Sequence, residues 1–132
     1  MSETEQWTDE EVFLIADLAH EIALQGRYPE ALVLFDGLAS IAPGNLYVRR
    51  ALAAVHLKLG QPTAALAAIR EQSTDGPSGR LRLECFLELG RRADAAREFQ
   101  SIRARLEPPD RQRYALLLDN SPLPTPASAS SQ

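Results

Sequence analysis

The chain has 132 residues with 14 basic and 18 acidic side chains, a formal charge of −4, so one domain able to bury its own core is expected. Hydrophobic residues make up 45% and aromatics only 6%, which favours helices packed with Ala and Leu over a sheet. An acidic balance argues against a surface that tracks nucleic-acid phosphates, and the absence of any run of ~18 apolar residues excludes a membrane span.

Thr8 followed three residues later by Glu11 is a capping-box pattern, and it predicts a helix over about 9–25. That helix carries two apolar stripes, one of Ile15, Leu18 and Ile22 and one of Phe13, Ala16, His20 and Leu24. Two stripes imply more than one packing neighbour. Gly26 ends it. A second helix, about 29–40, opens on Pro29 and is expected to bury Ala31, Leu32, Phe35, Leu38 and Ala39. Residues 42–45 form a turn, and Asn45 is a suitable cap for a third helix over about 46–59, stopped by Gly60. A fourth, about 62–71, carries Ala65, Leu66, Ala68 and Ile69. Residues 73–79 (STDGPSG) carry loop signals. Helices are then expected over about 80–89 (Leu83, Phe86, Leu87), 92–106 (Ala95, Ala96, Phe99, Ile102) and 109–118 (Tyr114, Leu117, Leu118). Residues 120–132 are expected to be disordered and 1–8 flexible, leaving 9–119 as the helical domain.

A period runs through this pattern. Gly26, Tyr28, Ala31, Leu32, Phe35 and Pro43 are followed thirty-four residues on by Gly60, Pro62, Ala65, Leu66, Ile69 and Pro77. Leu18 and Ala19 are matched in the same way by Leu52 and Ala53. Gly90, with Ala95 and Phe99, opens a third copy after a step of only thirty residues. The expected fold is all-α, an array of two full helical hairpins, a shortened third and a capping helix. The shortening is expected to fall on the first helix of the third pair.

Chemistry is sparse. His20 and His56 stand alone in their helices, without the spaced ligands a metal site needs. Asp17, His20 and Glu21 lie within one turn, but no nucleophile motif accompanies them, so a polar contact or a groove-lining histidine is the simpler reading. Cys85, beside Phe86 on an apolar face, reads as a small core residue, and as the single cysteine it favours a reducing compartment. Residues 76–79 (GPSG) lack the lysine and the strand–turn–helix context of a phosphate loop. No enzyme activity, cofactor or metal is expected. The start of the chain is polar and acidic, with no basic segment followed by an apolar run, so no secretory signal is expected and the expected location is the cytoplasm. Residues 1–48 hold nine acids and one base, Arg27, whereas 49–132 hold nine acids and thirteen bases. Solvated helix faces account for such a split, and an acidic and a basic partner-binding face are the alternative.

The thirty-four-residue pattern resembles the tetratricopeptide repeat family over about residues 12–106. The resemblance implies that the first helices of successive repeats line a concave groove for a peptide or a partner helix. By register the groove would be lined by Phe13, Ala16, His20, Ala23 and Leu24, then Tyr47, Arg50, Ala54, Leu57 and Lys58, then Arg80, Glu84, Leu87 and Glu88. Family members that grip the C-terminal carboxylate of heat-shock chaperones use asparagines at positions that here hold His20 and Ala54, so that clamp is not implied. The remaining lining suits an apolar or amphipathic helical segment with some acidic residues. Residues 34–66 are also similar in layout to the small tetratricopeptide chaperones of bacterial type III secretion systems, which keep export substrates soluble. That narrower resemblance implies a small secreted or export-apparatus protein as partner. A generic adaptor joining folded proteins is the alternative, and a homodimer or an obligate heterocomplex is expected in either case.

Overall fold

The computed structural model of the chain describes residues 7–69 and 75–119. Among these, seven α-helices follow one another and no strand occurs: α1 (Asp9–Leu24), α2 (Tyr28–Ile41), α3 (Leu46–Lys58), α4 (Pro62–Ala68), α5 (Gly76–Glu88), α6 (Arg92–Ile102) and α7 (Pro108–Asp119). A 3-10 turn at Arg103–Arg105 links α6 to α7. The segments expected to be flexible or disordered, 1–8 and 120–132, lie outside the described residues except for Trp7 and Thr8.

Each hairpin begins and turns in the same way. The first helices are capped by Thr8, Asn45 and Asp75, whose side chains accept from the backbone N–H groups of Glu11, Val48 and Ser78. Glu11 returns the bond to the Thr8 N–H, completing a capping box. At the other end Gly26, Gly60 and Gly90 have φ of 81°, 72° and 73°. In each turn the glycine N–H donates to a carbonyl three residues back, and the next residue's N–H donates to one five residues back, as in Gly60 to Leu57 and Gln61 to His56. That is the Schellman arrangement, which satisfies the last free carbonyls of the helix.

The third pair is shortened elsewhere than expected. Helix α5 does not start near Arg80. Asp75 caps it, and Gly76–Gly79 form its first turn with Pro77 where no intrahelical donor is needed. The four residues missing from the period come out of α4 and the segment after it. Helix α4 has 7 residues against 14 in α2, while α3 and α5 have 13 each. Ile69 is already extended, and residues 70–74 are outside the described set. Arg49 reaches from α3 to the end of α4, donating to the Ala68 carbonyl at 2.9 Å and to the Pro43 carbonyl at 3.1 Å. Helix α6 likewise stops at Ile102 rather than continuing to 106, and Ala96 is exposed rather than buried.

Two apolar clusters form the core. The larger joins α1–α4 through Val12, Ala16, Ala19, Ala31, Phe35, Leu52, Ala53 and Ala65, and takes in Cys85 of α5. The smaller holds Leu83, Ala95, Phe99, Ile102, Leu106 and Tyr114. Helix α5 therefore contributes to both, with Cys85 and Leu81 in the larger and Leu83, Phe86 and Leu87 in the smaller. Leu18, placed on an apolar stripe of α1 by its spacing, is 56% exposed because among the described residues no helix packs on that side of α1, whereas its repeat partner Leu52 is 6% exposed.

The α5–α6 contact is the tightest point. A Cβ at Gly79 would collide with Ile102 Cγ2 and lie 3.0 Å from Glu98 Oε2. Ile102 is β-branched and stiff, so relief requires α6 to move. Gly37, in α2, has nothing near its absent Cβ. Gly79→Ala should therefore lower stability by about 1–3 kcal/mol, whereas Gly37→Ala should raise it by about 0.5–1 kcal/mol. Urea melts of the two variants check this pair of opposite signs.

Candidate functional site: the inner face of the first helices

The first helices of the hairpins form the inner layer of the array. Helix α1 touches α3 and α3 touches α5, while α2 and α4, or α4 and α6, make no comparable contact. Side chains one repeat apart meet across this face. Phe13 of α1 and Tyr47 of α3 pack with ring centroids 5.9 Å apart and planes tilted by 36°. Burial raises the Tyr47 hydroxyl pKa above its ordinary value, and the charge of Asp17 adds to the effect. Tyr47 is thus a neutral phenol at physiological pH, half-buried between α1 and solvent.

Further along the same face His20 and Leu24 are exposed on α1, Leu24 at 67%. Ala54 and Leu57 are half-buried on α3, and Lys58 is exposed. Ala54 is the small position of this row. By helical spacing it lies two turns beyond Tyr47 and one turn before Leu57. An apolar floor of Phe13, Tyr47, Ala54, Leu57 and Leu24 results, with the exposed Asp17 of α1 and Lys58 of α3 beside it.

Four of the residues expected to line this face have other duties. Ala16 is fully buried in the main core, so it supports the face from beneath rather than lining it. Arg50 pairs with Asp75 at 3.5 Å. Arg80 and Glu84 are engaged by α7: Arg80 Nε donates to the Tyr114 hydroxyl at 3.3 Å and Nη1 lies 3.7 Å from Asp110. Glu84 accepts from the Tyr114 hydroxyl and from Arg113, the latter at 2.7 Å. Tyr114 is fully buried, with its ring centroid 6.4 Å from that of Phe99. Its burial and the hydrogen bond to Glu84 push its pKa up to about 12. Arg92 fastens the far end of α7 by donating to the Leu117 and Leu118 carbonyls at 2.7 and 3.2 Å. Helix α7 thus closes the inner face at α5, leaving α1 and α3 as the open part. The signal for this was in the spacing, since Asp110 and Tyr114 stand thirty residues after Arg80 and Glu84.

Among the described residues no group of three or more His, Cys, Asp or Glu side chains is placed to hold a metal. Burial, helped by Glu84 and Glu88, pushes the Cys85 thiol up to about 11, so it stays protonated at neutral pH. Most described arginines of the C-terminal half are committed, to Asp75, Asp110, Glu98, Asp94 and Glu84 or to helix carbonyls. No helix among the described residues is long and apolar enough to cross a membrane.

Stacked helical hairpins with their first helices in one layer define the class of the molecule as a helical-repeat array. The family model described as Tetratricopeptide repeat matches residues 23–82, from the last turn of α1 into α5. This match supports a tetratricopeptide-repeat protein, and with it a module for protein–protein interaction. No curated protein and no solved structure matches the chain.

Asp75 joins the cap of α5 to the inner face through Arg50. Burial alone would raise its pKa, but hydrogen bonds from the Ser78 N–H and hydroxyl, with the Arg50 charge, hold it below 3.8. A depressed folded-state pKa means that its stabilisation is complete above about 3.8 and is lost as pH falls through the lower folded value. Asp75→Ala should cost about 1 kcal/mol at pH 7, with the gap from the parent narrowing as the pH is taken down through that range. Thermal melts across a pH series check both the size and the sign.

Proposed function

We propose that the chain is a non-enzymatic protein-binding module that takes an apolar, helical segment of a protein partner onto the inner face of α1 and α3. The observation that carries this reading is the open floor of Phe13, Tyr47, Ala54, Leu57 and Leu24, apolar side chains left half-buried or exposed on the first helices, two of them in ring contact across α1 and α3. Aromatic and aliphatic anchors of this kind dominate helix-in-groove binding. Lys58 beside the floor suits acidic residues flanking the segment's apolar ridge and acts chiefly on association rate and orientation.

In its narrower form the partner is a small secreted or export-apparatus protein held soluble before handover. Support for that form is the layout of residues 34–66, similar to that of small type III secretion chaperones. The wider form is an adaptor that joins folded proteins, which the same floor also suits. Co-purification from the native host separates them: a small protein that is insoluble when made alone supports the chaperone, and a folded, independently soluble partner supports the adaptor.

The floor and Lys58 differ in expected weight. Tyr47→Ala should weaken binding of the co-purified partner by about 2 kcal/mol or more, while Lys58→Ala should cost under about 1 kcal/mol. Calorimetric titration of both variants, with circular dichroism as a folding control, measures the difference. Unchanged binding by both would move the site off this face.

A further inference from the structure

We infer that the chain has a second docking surface, on the outward face of α1, that receives a basic amphipathic helix of a protein partner. The inference is independent of the inner-face reading. Helix α1 has three faces: Val12, Ala16 and Ala19 are in the core, Phe13, His20 and Leu24 point to the inner side, and Leu14, Leu18 and Glu21 form the third at helical spacing.

Register tells what that third face is for. Leu14, Leu18 and Glu21 stand thirty-four residues before Val48, Leu52 and Val55 of α3. Those α3 residues are 0%, 6% and 4% exposed in the core, where α3 packs on α2 of the preceding hairpin. The corresponding α5 positions include Ser78 and Cys85, also buried, where α5 packs on α4. At each later repeat this face seats one hairpin on a helix of the one before. On α1 it is open, with Leu14 71% and Leu18 56% exposed. Two leucines one turn apart form a ridge that fits the groove of a crossing helix.

Charge selects the occupant. Glu10 and Glu21 border the ridge by helical position, Glu11 lies on its other side, and α1 contains no Lys or Arg. Among the described residues Glu10 and Glu21 have no ion-pair partner, whereas Glu11 serves the capping box. A partner helix with a Leu or Ile ridge flanked by Lys or Arg would bury the leucines and neutralise this border. A second copy meeting the same face would oppose carboxylates with carboxylates. The arginines of its α5–α7 end are largely held by internal acids and carbonyls. Residues 1–6 of the chain add two further acids, and 121–132 carry no charge, so neither segment supplies the complement.

The test uses the full chain and two synthetic helical peptides with Leu at i, i+4 and i+7, one with Lys and one with Glu at the flanking positions. Binding is read by calorimetry and by fluorescence of Trp7, the single tryptophan, one residue before the cap of α1. The Lys peptide is expected to bind and the Glu peptide not to. Leu14→Gln with Leu18→Gln should weaken binding about tenfold or more without lowering the melting temperature. Glu10→Gln with Glu21→Gln should weaken it and flatten its dependence on salt. Tyr47→Ala should leave it unchanged. The inference is overturned if neither peptide binds, if both bind equally, or if Tyr47→Ala abolishes binding while the leucine pair does not. It is also overturned if sedimentation shows a dimer that the leucine changes convert to monomer, since a second copy would then occupy the face.

Discussion

Three helices of this chain give way to the next within three residues, and each of these turns depends on one residue in the left-handed conformation. Gly26, Gly60 and Gly90 occupy it, and each turn makes the same pair of reverse hydrogen bonds. None of the three glycines has an atom within contact distance of its absent Cβ, so packing does not demand glycine there. Backbone conformation does, because a side chain in the left-handed region costs roughly 1–2 kcal/mol. Matching turns return the chain in the same way at each hairpin, and this brings side chains one repeat apart on the first helices into contact. Phe13 with Tyr47 and Glu84 with Tyr114 both follow from that geometry.

Within this frame the array is uneven, and the unevenness positions the open surface. Four residues are lost between Pro62 and Gly76, leaving α4 at half the length of α2. Arg49 holds the carbonyl at its abrupt end, and Asp75 restarts the helix with a cap that also engages Arg50. The core divides near this point into two clusters, with α5 contributing Cys85 to one and Leu83 to the other. Helix α7 then covers the inner side of α5 through a buried tyrosine and several arginine contacts. The inner face that remains is built from the first two hairpins, of which the first carries most of the acids of the acidic half and the second holds none.

Exposure of apolar side chains follows the same logic of position in the stack. Leu18 and Leu52 are the same residue type at the same register, yet one is open and the other buried. The difference is a neighbour and not a property of either residue. The same holds at the other end, where Tyr114 satisfies Arg80 and Glu84, residues whose register alone would assign them to a binding groove.

The sequence by itself determined the helices, their turns and the repeat. Glycines at a fixed step, helix caps at Thr8 and Asn45 and small residues such as Ala31 and Ala65 are local signals that need no distant partner to act. A thirty-four-residue step aligned Phe13 with Tyr47, and the family resemblance implied that both line one face with Leu57. Local signals misled at residues 75–79, where Gly-Pro-Ser-Gly looks like a loop but Asp75 caps a helix and Gly79 lets α6 approach. Only the tertiary structure decided which members of the row stay open. Accessibility depends on what the next element covers, and the reach of Tyr114 and Arg113 onto Glu84, or the burial of Ala16, arises from helices brought together across the stack rather than from the residues themselves.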